Sequence, residues 1–281
     1  VKEANPNAII LAEHYGDPTS WLQGDEWDTV MNYDAFMEPL TWFFTGVEKH
    51  SDEFRGDLLG NSDAFFGAMS HHMTRFNTSS LQVAMNELSN HDHSRFLTRT
   101  NRRVGRTASA GPHAANEGIN KGIMRQAVLM QMTWPGAPTI YYGDEAGVCG
   151  WTDPDNRRTY PWGNEDTQMI KFHKEVIRIH KDYEPLKTGS LTFLGGHSQY
   201  LAYGRFNRNE QLVMAFNSSE NEITEQIPVW KMGVCDGQNM VRLMMTTGGG
   251  YSLEAVIYQV ENGKLILTLP PCTSVIIKSL S

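Results

Sequence analysis

The sequence has few cysteines, no excess of positive charge and no long apolar run. Its three cysteines, Cys149, Cys235 and Cys272, are widely spaced and form no Cys-x-x-Cys pair, which argues against a disulfide framework or a zinc site. Reduced thiols are typical of cytoplasmic proteins, so a cytoplasmic setting is predicted. The net charge of −8 argues against a nucleic-acid or anionic-membrane surface. No segment of the sequence is long and apolar enough to span a bilayer.

The first two thirds of the chain alternate short apolar runs with amphipathic segments, which is the pattern of βα units. Residues 95–117 are polar and contain Gly105, Gly111 and Pro112, which predicts a long loop. The predicted strands are 9–12, 29–32, 83–88 and 139–142, and the predicted helices are 36–48, 63–76, 119–132 and 166–181.

These four units are too few to close a parallel barrel, which needs eight strands and roughly 250 residues. We therefore predict an α/β fold in which residues 1–186 form the second half of a (β/α)8 TIM barrel. The chain would begin inside that domain. Its outer strands would be unpaired, so we expect association with a complementary N-terminal half or self-association.

The sequence pattern changes near residue 187, where short β-type runs alternate with turns that contain Gly, Asn or Pro. This pattern predicts that residues 187–281 form an all-β antiparallel sandwich domain of about seven strands. The predicted strands are 191–193, 200–206, 211–217, 223–229, 241–246, 264–269 and 274–278.

Two carboxylates follow predicted strands of the α/β part. Glu13 comes directly after residues 9–12, and Asp92 lies in the polar cluster after residues 83–88. The ends of parallel barrel strands form the active-site face, so side chains there predict chemistry. Paired carboxylates suit cleavage of a glycosidic bond, where one protonates the leaving oxygen and another stabilises positive charge on the sugar. The alternative for Glu13 is a salt bridge or a helix cap, and for Asp92 a loop cap or a pair with Arg95.

Several motifs together resemble the α-amylase family. Glu13 at a strand end, Asn90-His91-Asp92 before Arg95, and the run from Gly136 to Gly147 are similar to three consecutive motifs of that family. Segment 153–158 resembles the loop after the last barrel strand of the family. Segment 21–33 resembles the branch that contains neopullulanases, cyclomaltodextrinases and maltogenic amylases. The order and spacing match from residue 1 to about 190.

The resemblance implies a retaining hydrolase of α-1,4-glucosidic bonds in malto-oligosaccharides, cyclodextrins or pullulan. It implies that Glu13 is the general acid/base, that Asp92 stabilises the transition state and that His91 donates to substrate hydroxyls. The family's nucleophilic Asp belongs to the strand before the one that carries Glu13. These 281 residues contain no such segment, so we expect the isolated chain to be inactive.

Further side chains are candidates for the sugar site. Trp151 and Trp162 are candidates for stacking on sugar rings, and the alternative for each Trp is that it fills the core. Asn90 and Arg95 are candidates for sugar contact, although Asn90 also suits a role in shaping its loop. Calcium is common in α-amylases, but the sequence has no EF-hand loop or dense group of oxygen ligands, so no metal or other cofactor is predicted.

Other functions stay open at the level of sequence. Within the same class, the parent could be a transglycosylase or a trehalose-synthase-like isomerase. From another class, the chain could be a non-catalytic carbohydrate-binding or structural fragment. A third alternative is a two-chain enzyme whose other half supplies the nucleophile.

Overall fold

Four short parallel strands lie side by side in chain order. The computed structural model describes residues 1–280, and these strands are β1 (Leu11–Ala12), β2 (Thr29–Val30), β3 (Met85–Asn86) and β4 (Ala137–Pro138). β1 pairs with β2 and β3 pairs with β4, both in parallel. A parallel bridge between Met31 and Met85 joins the two pairs. The predicted fourth strand, 139–142, is wrong, because β4 ends before it begins.

Helices connect and flank these strands. They are α1 (Glu38–Thr45), α2 (Ser62–Met73), α3 (Thr78–Gln82), α4 (Phe96–Arg99), α5 (Thr107–Ala110), α6 (Lys121–Gln131), α7 (Thr167–Asp182) and α8 (Glu184–Thr188). A π-helix, Tyr33–Met37, leads into α1. Four helices begin at a side-chain cap that accepts a backbone N–H, which satisfies donors that a helix start leaves free; the capping residues are Asn61, Asn77, Asn120 and Asp166.

The predicted continuous loop at 95–117 is corrected by the structure. The segment contains α4, α5 and a 3-10 helix at His113–Asn116. Each is only four residues long, which is about one helical turn and too short to show an apolar period in the sequence.

The C-terminal part is antiparallel β-structure, as predicted. Its strands are β5 (Ser190–His197), β6 (Tyr200–Phe206), β7 (Gln211–Asn217), β8 (Ile223–Ile227), β9 (Asn239–Thr246), β10 (Tyr251–Ser252), β11 (Ile257–Gln259), β12 (Leu265–Leu269) and β13 (Thr273–Ser279). The larger sheet has the order β10-β9-β13-β7-β6-β5, with β11 also paired to β9. β8 and β12 form a separate antiparallel pair.

The larger sheet is covered on both faces. One face packs on the β8–β12 pair through residues such as Val213, Leu265 and Leu267. The other face packs on α1, α2, α6 and α7, and residues from the strands and these helices form one apolar core. The predicted boundary between residues 186 and 187 falls inside α8, so the division into 1–186 and 187–281 stays a prediction. Among the described residues no helix is long and apolar enough to cross a membrane.

Candidate active site

Glu13, His91 and Asp92 meet at the carboxyl ends of β1 and β3. His91 Nε2 lies 3.2 Å from Glu13 Oε1 and 3.5 Å from Asp92 Oδ1. One oxygen of each carboxylate and the imidazole nitrogen all lie within 4.8 Å of one another. The side chains are 45%, 39% and 37% exposed for Glu13, His91 and Asp92. The three residues that carry the predicted chemistry therefore share one accessible site.

Asn90 shapes the loop that presents His91 and Asp92. Its Oδ1 accepts from the backbone N–H groups of Asp92 and His93, both at 3.0 Å, which is an Asx-type turn. Its Nδ2 donates to Glu87 Oε1 at 2.7 Å and to the Tyr33 hydroxyl at 3.3 Å. Asn90 is buried and its amide is already engaged by these partners. This placement does not suit the sugar contact expected of it, and it matches the loop-shaping alternative.

A second loop holds the backbone of the first. The Asp92 carbonyl accepts from the Thr152 hydroxyl at 2.6 Å and from the Asp153 N–H at 3.1 Å. Asn156 Nδ2 donates to the carbonyls of Asn90 and His93, at 3.0 Å and 2.8 Å. Asn156 is fully buried, and its place in the 153–158 segment was the one feature of the sequence that pointed to it.

Arg95 lies inside the protein and not at the sugar site. Its Nη1 is 3.0 Å from Asp144 Oδ1, and the two side chains are 0% and 5% exposed. It donates to the carbonyls of Tyr142 and Asn156, and its guanidinium carbon lies 4.0 Å from the centroid of the Tyr141 ring. The expected sugar contact by Arg95 is therefore corrected to a structural role that joins the Asp92 loop to residues 141–156.

The two candidate tryptophans differ in exposure. Trp151 is 1% exposed and its indole N–H donates to the Gly111 carbonyl at 3.0 Å, so it offers no face to a sugar ring and the stacking expectation is corrected. Trp162 is 80% exposed, and its ring centroid lies 4.5 Å from that of Tyr160. Trp162 is the candidate that stays available for stacking.

Two buried residues below the carboxylates had no assigned role at the level of sequence. The Tyr33 hydroxyl lies 3.5 Å from Glu13 Oε1 and accepts from Asn90. Burial raises the pKa of Tyr33 well above its usual range, so the phenol stays protonated and can donate to Glu13. Burial also raises the pKa of the Glu87 carboxyl to about 8, against the opposing effect of its hydrogen bond from Asn90. A signal for Tyr33 was its place directly after the predicted strand 29–32.

The sequence of residues 1–215 matches the family description "Alpha amylase, catalytic domain". The chain belongs to the α-amylase family. It is 35% identical over 216 residues to an amylopullulanase of Thermoanaerobacter thermohydrosulfuricus, covering 73% of this chain and 14% of that protein. It is 32% identical over 224 residues to a cyclomaltodextrinase of Thermoanaerobacter pseudethanolicus, covering 79% and 34%. It is also 35% identical over 193 residues to neopullulanase 2 of Thermoactinomyces vulgaris, covering 68% and 28%.

Solved structures agree with this membership of the α-amylase family. The debranching enzyme of Nostoc punctiforme superposes with a TM-score of 0.77 at 26% identity, covering 98% of this chain and 53% of that one. A cyclomaltodextrinase superposes with a TM-score of 0.77 at 25% identity, covering 100% and 42%. The chain spans between about a seventh and a third of the length of the curated relatives above. The expected resemblance to the α-amylase family is confirmed.

The close group of Glu13, His91 and Asp92 does not fit the calcium that is common in the α-amylase family. Ca²⁺ takes six to eight oxygen ligands, whereas this group offers two carboxylates and one imidazole nitrogen. Imidazole nitrogen suits transition metals better than Ca²⁺. The donor set of this group therefore argues against calcium at this position.

The raised pKa of Glu87 predicts that the difference in folding stability between the wild-type protein and its Glu87→Gln variant depends on pH. Between about pH 5 and about pH 8 the folded carboxyl keeps its proton while the unfolded chain releases it, so wild-type stability falls as pH rises. Glutamine has no proton to release there, and its amide oxygen can still accept from Asn90. As pH rises through this range, the free energy of unfolding of the variant should increase relative to that of the wild type by up to about 1.4 kcal/mol per pH unit.

Urea unfolding of both proteins at several pH values in that range checks this expectation. Glu117→Gln, at an exposed glutamate that pairs with Arg103, is the matched control and should parallel the wild type. Parallel curves for Glu87→Gln and the wild type would contradict the raised pKa.

Proposed function

We propose that this chain carries the acid/base and transition-state-stabilising residues of a retaining α-glucan hydrolase. The convergence of Glu13, His91 and Asp92 within 4.8 Å is the observation that carries the proposal. Membership of the α-amylase family supports it. The proposed substrates are malto-oligosaccharides, cyclodextrins or pullulan, which is supported by relatives named cyclomaltodextrinase and neopullulanase.

Glu13 is the proposed general acid/base. In the first half of the reaction it protonates the oxygen of the leaving sugar, and in the second half it removes a proton from the attacking water. The adjacent Tyr33 hydroxyl and His91 Nε2 can donate hydrogen bonds to its carboxylate after the proton has left. Transfer to a sugar acceptor differs only in the group that Glu13 deprotonates.

Asp92 is the proposed stabiliser of the oxocarbenium-like transition state. A fixed carboxylate attracts the developing positive charge more strongly than it attracts the neutral substrate, so it lowers the barrier. The hydrogen bonds from Thr152 and Asp153 to the Asp92 backbone carbonyl hold the backbone that carries this carboxylate in place. His91 can exchange its carboxylate contacts for sugar hydroxyls.

The nucleophile in this proposal is an aspartate outside these 281 residues. Nearly half of the Glu13 side chain is exposed, so the dry site that acid catalysis requires needs further protein or substrate to cover it. Within the described residues β1 pairs only with β2, and Ile9 and Leu11 are 65% and 40% exposed. A complementary N-terminal half or a second copy would cover this edge, and the isolated chain would be inactive.

The test is turnover of a substrate panel by the full-length protein. Cyclodextrin, pullulan, maltotriose and maltose are incubated with it, and the products are identified by chromatography. Smaller malto-oligosaccharides support hydrolysis. Longer products indicate a transglycosylase, and trehalose from maltose indicates an isomerase. Binding of glucan without turnover would favour a non-catalytic carbohydrate-binding protein and contradict the proposal.

Trp162→Ala is expected to weaken substrate binding more than it slows turnover. An exposed indole that stacks on a sugar ring contributes roughly 0.5–1.5 kcal/mol, so KM should rise about twofold to tenfold while kcat changes little. Steady-state kinetics on maltotriose measure this split. Trp230→Ala is the matched control, since Trp230 is also exposed but lies beyond β8 in the β-sheet region. Equal KM values for both variants would remove Trp162 from the site.

A further inference from the structure

We propose that Tyr15 and His93 are a positioning pair that ties the strand end carrying Glu13 to the loop carrying Asp92. Tyr15 is two residues after Glu13, and His93 directly follows Asp92. The Tyr15 hydroxyl lies 3.1 Å from His93 Nε2. One side-chain hydrogen bond therefore joins two segments that are 78 residues apart in sequence and that each carry one proposed catalytic carboxylate. This inference rests on the proposed function.

His93 is the fixed end of the pair. It is 0% exposed, and its backbone N–H donates to Asn90 Oδ1 at 3.0 Å. Its ring packs edge-on against Tyr33 and His50, at centroid distances of 5.3 Å and 4.8 Å. Its Nδ1 has no partner among the described residues, so the contact with Tyr15 is the only hydrogen bond that the ring makes there.

Tyr15 is held by its ring as well as by its hydroxyl. The ring stacks on Tyr33, with centroids 4.5 Å apart and planes 14° apart. The ammonium group of Lys49 lies 5.1 Å from its centroid. Removing only the hydroxyl would leave the stacking and the cation–π contact in place. The effect of the Tyr15–His93 hydrogen bond can therefore be measured apart from that of the ring packing.

The Tyr15–His93 hydrogen bond matters because Glu13 and Asp92 act on the same sugar in the proposed reaction and must keep a fixed distance from each other. A displacement of about 1 Å can lower a rate on the order of a hundredfold. His91 also reaches Glu13, but a sugar hydroxyl would compete for that contact. The Tyr15–His93 bond uses neither catalytic carboxylate and not the imidazole of His91, so it can persist while substrate is bound.

The test is steady-state kinetics of the full-length protein with Tyr15→Phe, on maltotriose. We expect kcat to fall about tenfold to a hundredfold, with KM changed less than about threefold and the melting temperature close to that of the wild type. Tyr258→Phe, on β11 and distant in sequence, is the control for loss of a tyrosine hydroxyl and should behave as wild type. A Tyr15→Phe protein with unchanged kcat would overturn the proposal, as would a loss of kcat that only follows a loss of folded protein.

Two variants of His93 extend the test. His93→Gln keeps a hydrogen-bonding group near the Tyr15 hydroxyl and should retain more activity than His93→Leu. In a double-mutant cycle, Tyr15→Phe should add little to His93→Leu, because both remove the same bond. Additive losses would overturn the pairing. A wild-type protein that turns over no glucan would overturn the proposed function itself, whereas an active wild type with an active Tyr15→Phe variant would overturn only the tie.

Discussion

Glu13→Gln is expected to lower kcat for malto-oligosaccharide hydrolysis by about 10²- to 10⁴-fold. Glutamine keeps the size and the hydrogen-bonding reach of the side chain but cannot give or take a proton near neutral pH. The contact with His91 at 3.2 Å can be kept, so the loss would come from the missing proton transfer and not from a rearranged site. Circular dichroism and melting temperature should be those of the wild type.

The choice of substrate makes this experiment specific for acid catalysis. An α-glucosyl fluoride needs little protonation of its leaving group, so formation of the glycosyl-enzyme should be slowed less by Glu13→Gln with the fluoride than with maltotriose. Glu175→Gln is the control, because Glu175 lies on α7 and pairs with Arg178. Equal losses on both substrates would argue that Glu13 binds the sugar and does not protonate it.

Asp144→Asn is expected to destabilise the protein by about 3–5 kcal/mol. Asp144 and Arg95 form a pair with almost no solvent contact, and the variant leaves the guanidinium charge buried without its counter-charge. Burial raises the pKa of Asp144 and the Arg95 guanidinium opposes this shift, so the environment disfavours charge and Arg95 counteracts it. The free energy of unfolding from urea denaturation, with wild type in parallel, measures the change.

Two further variants show whether the loss of stability comes from burial of an unpaired charge or from loss of any ion pair. Glu117→Gln breaks the exposed pair with Arg103 and should change stability little. The double variant Arg95→Met, Asp144→Leu removes both charges and should be more stable than Asp144→Asn, since apolar residues can replace a buried pair. A loss below about 1 kcal/mol in Asp144→Asn would contradict the structural role assigned to Arg95.

The β-rich part of the fold could be predicted well from the sequence. Strands β6 and β7 have the predicted bounds, because the polar turn 207–210, which contains Asn207 and Asn209, separates two runs rich in apolar residues. The parallel strands were harder to predict, because each is only two residues long. β4 includes Pro138, a residue that cannot donate to a sheet and that normally argues against a strand. The β-branched Thr139 and Ile140 placed the prediction two residues too late.

The sequence predicted which residue types gather at the strand ends. It did not predict which of those side chains are buried and which are accessible to a substrate. Glu13, His91 and Asp92 come together because each lies in the segment directly after a parallel strand. Asn90 and Arg95 are polar residues of the same segment, but their partners fill the interior. Those partners, Glu87 and Asp144, could be matched to them only with the fold in hand. Polarity in a sequence does not state which side of the surface a side chain occupies.

Trapping of the covalent intermediate tests the central claim most directly. The closeness of Glu13 and Asp92 would also suit a retaining pair in which Asp92 itself attacks the sugar, so the position of the labelled residue decides between the two assignments. The full-length protein is incubated with a fluorinated α-glucosyl fluoride, which slows hydrolysis of the glycosyl-enzyme, and the labelled peptide is mapped by mass spectrometry. We predict a label on an aspartate outside these 281 residues. A label on Asp92 or Glu13 would contradict the proposed roles.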